Sequence, residues 1–150
     1  PFAFGRADYN NAVACESQTI ALPQGCTGVY LLAASAEGDR NAVFNAGSDV
    51  NVSVPYYSGF FGGGNWDDYK AFLKDGDVAC VGGHRHDSRI RNEVYEHTYM
   101  FRIFVPVKAG VTELRLPADK AVTVFSATAV NAQHADAESV SDMVLHLERL

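Results

Sequence analysis

The sequence predicts an all-β fold, a two-sheet antiparallel β-sandwich of the jelly-roll kind. Three observations predict it. Short apolar runs alternate with turn signals about every ten residues, the spacing of a sandwich or barrel. Residues 50–54 place Val50, Val52 and Val54 on one face and Asn51 and Ser53 on the other, the period-two pattern of a half-buried strand. Helical periodicity is almost absent until the last twenty residues.

The elements follow in order. A strand over 12–20 ends at the turn Pro23, Gln24, Gly25. Residues 29–35 are apolar on both faces and end at Glu37, Gly38 and Asp39, so they read as a strand covered on both sides. Strands over 42–45 and 50–54 follow. After Lys74, Asp75, Gly76 and Asp77 comes a strand over 78–81, then one long strand over 94–105, then 111–116 and 121–130. That makes roughly eight strands, enough to bury the inner faces of two sheets against each other. No helical segments separate the strands, so a β-α-β unit is excluded, while 66–73 has room for one helical turn on a loop. The tail differs. Val140, Met143, Val144 and Leu147 form a helical stripe, with Asp136 and Ser139 as N-cap candidates and Arg149 near the end. A short C-terminal helix and a final strand over 143–147 both fit. The organisation expected is one sandwich domain over 1–130 with a tail or helix over 131–150 packed on it.

Composition narrows the function. The 150 residues suit one domain, and 47% hydrophobic with 20% charged residues reads as an ordinary globular protein. The net charge of −6 argues against a nucleic-acid partner, because phosphate binding needs clustered Lys and Arg. Arg85, Arg89 and Arg91 are interleaved with Asp87 and Glu93. No run of about 18 apolar residues predicts a membrane-spanning helix. The chain opens on Pro1 without Met or an apolar leader, and reads as a processed or excised piece. Cys15, Cys26 and Cys80 lack paired spacing and are odd in number. They read as small buried residues, with one Cys15–Cys26 bridge as the alternative.

Two stretches could carry chemistry. If the strand from Val78 continues, Val78, Cys80, Gly82, His84 and His86 share a face. His84 and His86, with His97 on the next strand, then resemble half of a cupin metal site. Glu93 lies too far along for that pattern, and 106–116 holds no histidine. The alternative is a structural pair bonded to backbone or to Asp87. His97 falls among Tyr95, Tyr99, Phe101, Ile103 and Val105 on one face of the long strand, where a satisfied buried histidine is expected. The second stretch is a glycine-rich aromatic loop. Tyr56, Tyr57, Trp66, Asp67 and Asp68 offer aromatic faces for pyranose rings and carboxylates for their hydroxyls. The alternative is a loop that plugs the sandwich or docks on a neighbouring domain. The glycines form no phosphate loop, since no Lys-Ser/Thr follows them. Asp67 and Asp68, like Asp75 and Asp77, sit beside lysines in turns and read as solvated surface, not as an acid pair for glycosidic cleavage. No serine sits in a nucleophile elbow. No catalytic residue and no cofactor is read.

Several phrases together look familiar. They are Asn11-Ala12-Val13, Gln18-Thr19-Ile20-Ala21-Leu22-Pro23, Val29-Tyr30-Leu31-Leu32-Ala33-Ala34-Ser35, His84-Arg85-His86-Asp87, Tyr95 with Tyr99-Met100-Phe101, Glu113-Leu114-Arg115-Leu116-Pro117 and Val124-Phe125-Ser126-Ala127-Thr128. Their order, over roughly 4–130, resembles the C-terminal β-sandwich region of large bacterial α-mannosidase-like glycoside hydrolases. The resemblance implies an accessory domain beside a catalytic domain, in a secreted or periplasmic parent that acts on glycans. Three functions therefore stand: a structural or positioning accessory module, a carbohydrate-binding module using the Trp66 loop, and a metal-dependent jelly-roll enzyme using His84, His86 and His97.

Overall fold

A computed structural model describes residues 2–6, 8, 10–60, 76–93 and 96–131. The described chain is all-β, with no helix, and folds as a two-sheet sandwich. The strands are β1 (Val13–Ala14), β2 (Thr19–Ala21), β3 (Gly28–Ser35), β4 (Arg40–Asn45), β5 (Asp49–Val54), β6 (Ser58–Phe60), β7 (Val78–Gly82), β8 (Arg85–His86), β9 (Asn92–Glu93), β10 (Glu96–Pro106), β11 (Glu113–Arg115) and β12 (Val122–Val130). The larger sheet runs β1-β12-β3-β10-β6, with β7 also paired to β10. The smaller sheet runs β2-β11-β4-β5, and β8 and β9 form a separate hairpin. Every strand pair is antiparallel.

The core lies between the two sheets. Val29, Leu31, Ile103, Val105, Val122 and Val124 come from the larger sheet, and Ala42, Phe44, Val54 and Leu114 from the smaller. Strand β3 is the centre of the larger sheet, paired on one edge with β10 and on the other with β12. Both faces of β3 are also covered, which is why residues 29–35 read as apolar on both faces. Leu31 and Ala33 face the core, and Leu32 and Ala34 on the other face are also buried. On β4 and β5 the alternation is clean: Ala42 and Phe44 are buried while Val43 is exposed, and Val54 is buried while Asn51 and Ser53 are exposed.

Two turns follow from backbone chemistry. At Pro23 to Cys26 the Cys26 N–H donates to the Pro23 carbonyl at 3.2 Å, with Gly25 at φ 79°. A left-handed Gly in the third position suits a type II turn. The β4–β5 hairpin turns through Gly47 at φ 90°, where an added Cβ would collide with Val111 and Lys108.

The expected strand over 12–20 is two strands in different sheets. β1 pairs with β12 in the larger sheet, and β2 pairs with β11 in the smaller. Between them the chain turns a corner at Ser17, whose φ is 65°. Gln18 closes that corner, donating to the Ala14 carbonyl at 2.8 Å and accepting from the Glu16 N–H. The described part of the long strand is Glu96–Pro106, residues 92–93 belong to β9, and Val94 and Tyr95 lie outside the described residues. Strand β6 and the β8–β9 hairpin had no counterpart in the sequence reading. The tail expected over 131–150 lies, apart from Asn131, outside the described residues.

Phe44 is fully buried and its neighbour Val43 is 47% exposed. Phe44→Ala is expected to cost about 3–5 kcal/mol, and Val43→Ala about 0.5 kcal/mol or less. Urea unfolding of both variants checks the inward face of β4.

Candidate functional site

The larger sheet departs from a regular ladder at two places, and a cavity of about 380 Å³ lies beside both. In β12, Val124 pairs with Ala33 and Ser126 with Leu32, so Phe125 is an extra residue against β3. In β7, Cys80 pairs with Met100 and Val78 with Phe101, so Ala79 is an extra residue against β10. Such bulges bend a strand and re-aim its side chains. The cavity opens where β3 ends and β6 takes over along β10. The handover is carried by the Tyr57 N–H, which donates to the Ser35 carbonyl at 2.8 Å, and the Tyr99 N–H, which donates to the Tyr57 carbonyl at 2.7 Å. Ala34, Tyr57, Met100 and Phe125 supply apolar walls, and Thr98, Tyr99 and Thr123 bring hydroxyls. Among the described residues, none that lines it carries a charge. Gly82 closes one side, because a Cβ there would strike the Thr98 hydroxyl.

Tyr99 is the unusual member. It is 2% exposed, and its buried hydroxyl has no hydrogen-bond partner among the described residues. Buried hydroxyls are normally paired, since leaving one unpaired costs about 1–3 kcal/mol. Burial first, and then the negative charge of Glu96, push this phenol above its ordinary pKa. It is therefore a neutral donor at physiological pH.

Tyr57 joins the cavity to a charged cluster. Burial first, and then Tyr56, raise the Tyr57 phenol above its usual range against the opposing pull of Arg85. The Tyr56 and Tyr57 rings meet edge to face, with centroids 5.0 Å apart. Arg85 donates to Glu93 at 2.6 Å and to the Ser58 hydroxyl at 3.4 Å, and lies 4.0 Å from Glu96. The hydrogen bond to Glu93 is the main reason its guanidinium is held more firmly protonated than usual. The Ser58 hydroxyl in turn donates to Glu96 at 3.2 Å. This network ties β6, β8, β9 and β10 together beside the cavity.

The expected sugar-binding set divides. Tyr57 lines the cavity, whereas Tyr56 is not among its described lining residues and its N–H donates to Asp39 at 2.7 Å. Trp66, Asp67 and Asp68 lie outside the described residues.

The expected metal triad also divides. His84 and His86 meet, with Nε2 atoms 3.0 Å apart and both side chains exposed. His97 Nδ1 instead lies 3.2 Å from the Gly82 carbonyl. Among the described residues, no three His, Cys, Asp or Glu side chains are grouped to hold a metal. Asp87 does not orient the histidines. Its carboxylate accepts from the Arg89 and Arg91 N–H groups at 2.8 and 2.9 Å and pairs with the Arg91 guanidinium, fixing the β8–β9 turn. The Arg91 backbone bond is the largest influence that lowers its pKa.

The single face expected for Val78, Cys80, Gly82, His84 and His86 does not form. The Ala79 bulge turns Val78 into the core and Cys80 outward, and β7 ends at Gly82 before the hairpin. All three cysteines are free, which overturns the alternative of a Cys15–Cys26 bridge. Cys15 and Cys26 are buried as expected, but Cys80 is exposed on the cavity wall.

The fold and this geometry define an all-β sandwich domain with a ligand-sized cavity at an irregular part of one sheet. The family model of the AziU2-like beta-sandwich domain matches residues 1–133. The chain belongs to that family. No curated protein matches the sequence. The family match supports the sandwich and carries nothing of an α-mannosidase-like parent.

The thiols make the bulge testable. Burial, with a smaller contribution from Asp119, raises the Cys15 thiol to about 11, which keeps it protonated and slow to react. Cys26 is buried, and its thiol donates to the Gly28 carbonyl at 3.1 Å. A disulfide-exchange reagent is expected to titrate Cys80 alone in the folded protein and all three thiols in guanidinium.

Proposed function

We propose that this domain binds a small, neutral, largely apolar ligand carrying a hydrogen-bond acceptor, and that the cavity beside β3 is its site. The observation that carries the reading is Tyr99, a residue of the cavity lining whose buried hydroxyl has no hydrogen-bond partner among the described residues. At about 380 Å³ the cavity falls within the range of small-molecule sites, roughly 300–1,000 Å³. Such sites combine apolar walls with few polar groups that fix orientation. Here Ala34, Met100 and Phe125 favour the apolar body, and the Tyr99 O–H favours a carbonyl or ether oxygen. An ionic ligand would meet no opposite charge on the lining among the described residues.

Carbohydrate recognition is the second reading, favoured by Tyr57. That side chain is half-buried in the cavity wall and belongs to the aromatic stretch suited to stacking on sugar rings. The module would then serve as an accessory to a glycan-active partner. A glycan array separates the two readings: retention of any sugar, lost in Tyr57→Ala, favours the second.

Two measurements test the first reading. Tyr99→Phe removes one oxygen and keeps the ring. Because that oxygen is unpaired in the ligand-free fold, the variant is expected to be as stable as the parent or about 1 kcal/mol more stable. A urea midpoint that falls would mean that the hydroxyl already has a partner. The second measurement titrates α-tetralone and tetralin, which differ by one carbonyl, while following the Met100 methyl signal by NMR. The ketone is expected to bind about 2- to 10-fold more tightly, with the preference lost in Tyr99→Phe. A Met100 signal that responds to neither probe would sink the proposal.

A further inference from the structure

The β8–β9 hairpin holds a second arrangement, independent of the cavity. Strand alternation puts Arg85 on one side and its neighbours His84 and His86 on the other. Arg85 is anchored inward by Glu93 at 2.6 Å and by the Ser58 hydroxyl at 3.4 Å. The two imidazoles therefore project together from the opposite side, with ring centroids 4.8 Å apart and Nε2 atoms joined by a 3.0 Å hydrogen bond whose shared proton a bidentate metal would replace. The hairpin below them is held by two β8–β9 residue pairs, Arg85 with Glu93 and His86 with Asn92. The Asp87 turn closes its far end.

We propose that His84 and His86 form a bidentate surface site for divalent copper or nickel. The separation of the donors carries the inference. A metal bonded to both nitrogens at about 2.0–2.1 Å would see them at about 91–97° across a 3.0 Å separation. That is close to the right angle between neighbouring positions of a tetragonal or square-planar ion, the geometry of Cu²⁺ and Ni²⁺. A tetrahedral ion would need the nitrogens at about 3.3–3.4 Å with the same bond lengths. Donor chemistry agrees, since imidazole suits both ions and Cu²⁺ stands highest in the affinity order of divalent first-row metals. Nearby charge does not forbid a cation. The Arg85 guanidinium is paired with Glu93 and near Glu96, and that of Arg91 is paired with Asp87. Both imidazoles are exposed, so water completes the coordination without entering the fold.

The site consists of two rings and not three. His97, which completed the sequence-based triad, is half-buried with its Nδ1 at the Gly82 carbonyl.

The test uses the whole chain in a Cys80→Ser background, because the exposed thiol would otherwise bind or reduce Cu²⁺. Cu²⁺, Ni²⁺ and Zn²⁺ are titrated calorimetrically, and the Cu²⁺ form is examined by electron paramagnetic resonance. The expected result is one tetragonal Cu²⁺ per chain, with splitting from two imidazole nitrogens and affinity about tenfold or more above that for Zn²⁺. His84→Ala and His86→Ala should each weaken Cu²⁺ binding by about tenfold or more. His97→Ala should leave the affinity and the spectrum unchanged. Far-ultraviolet circular dichroism of each variant checks that the sandwich is intact. Absence of Cu²⁺ binding, binding that survives loss of both His84 and His86, or equal loss in His97→Ala would each overturn the assignment.

Discussion

The structure depends on the register of β3 between its two neighbours. Its backbone is bonded on one edge to β10 and on the other to β12, and its side chains are buried on both faces. A slip of one residue would exchange those faces all along the strand. Leu31 and Ala33 would then leave the inter-sheet core, and Tyr30 and Leu32 would enter it. The pairing of β3 also determines where the smaller sheet can pack, because Val29 and Leu31 share the core with Phe44 and Leu114. Gly28 belongs to the same constraint. The Phe104 ring lies over it so closely that a Cβ would overlap the ring.

Within that framework the sheet tolerates two extra residues, and both have a purpose visible in the packing. Phe125 changes the parity of β12. Before it, Val122 and Val124 face the core; after it, Ser126 points to the other face and donates to the Ala3 carbonyl at 2.7 Å. Ala127, not Ser126, then stands opposite Leu31. Ala79 has the same effect on β7, holding Val78 in the core and releasing Cys80 to the surface. In each case one inserted residue lets a short stretch of sequence serve two faces out of step with simple alternation.

This explains what the sequence disclosed and what it withheld. Strands with an undisturbed pattern were legible: β5 by alternation, β4 and β3 as short runs between turn signals, and the described part of β10 by its aromatic face. The all-β class followed from them. The corner at Ser17 falls in the polar stretch Glu16-Ser17-Gln18-Thr19, which interrupts the apolar run, but a non-glycine residue at φ 65° leaves no compositional mark that tells a change of sheet from a continuing strand. The bulges were hidden for a related reason. Phe125 and Ala79 are ordinary strand residues, and their extra status exists only in relation to β3 and β10. The cavity was therefore invisible apart from Tyr57, which was singled out for its place in an aromatic loop. The His84–His86 contact was legible as i,i+2 spacing, but the exclusion of His97 required the position of the Gly82 carbonyl.

The cavity gains weight from where the exceptions fall. Native sequences follow local rules almost everywhere, and breaches concentrate at functional or strained sites. In the larger sheet, the two breaks in the ladder, a buried hydroxyl without a partner and an exposed thiol are separate kinds of exception. Each arises from a different residue: Phe125, Ala79, Tyr99 and Cys80. Phe125, Tyr99 and Cys80 all line the same cavity, and the Ala79 bulge is what turns Cys80 toward it. A regular sheet with Phe at position 99 would fold without them and would leave no hydroxyl unpaired. Selection for stability alone favours that simpler surface, since an unpaired buried hydroxyl costs about 1–3 kcal/mol and offers nothing to the empty fold. An acceptor on the proposed ligand that reached Tyr99 would offset that cost.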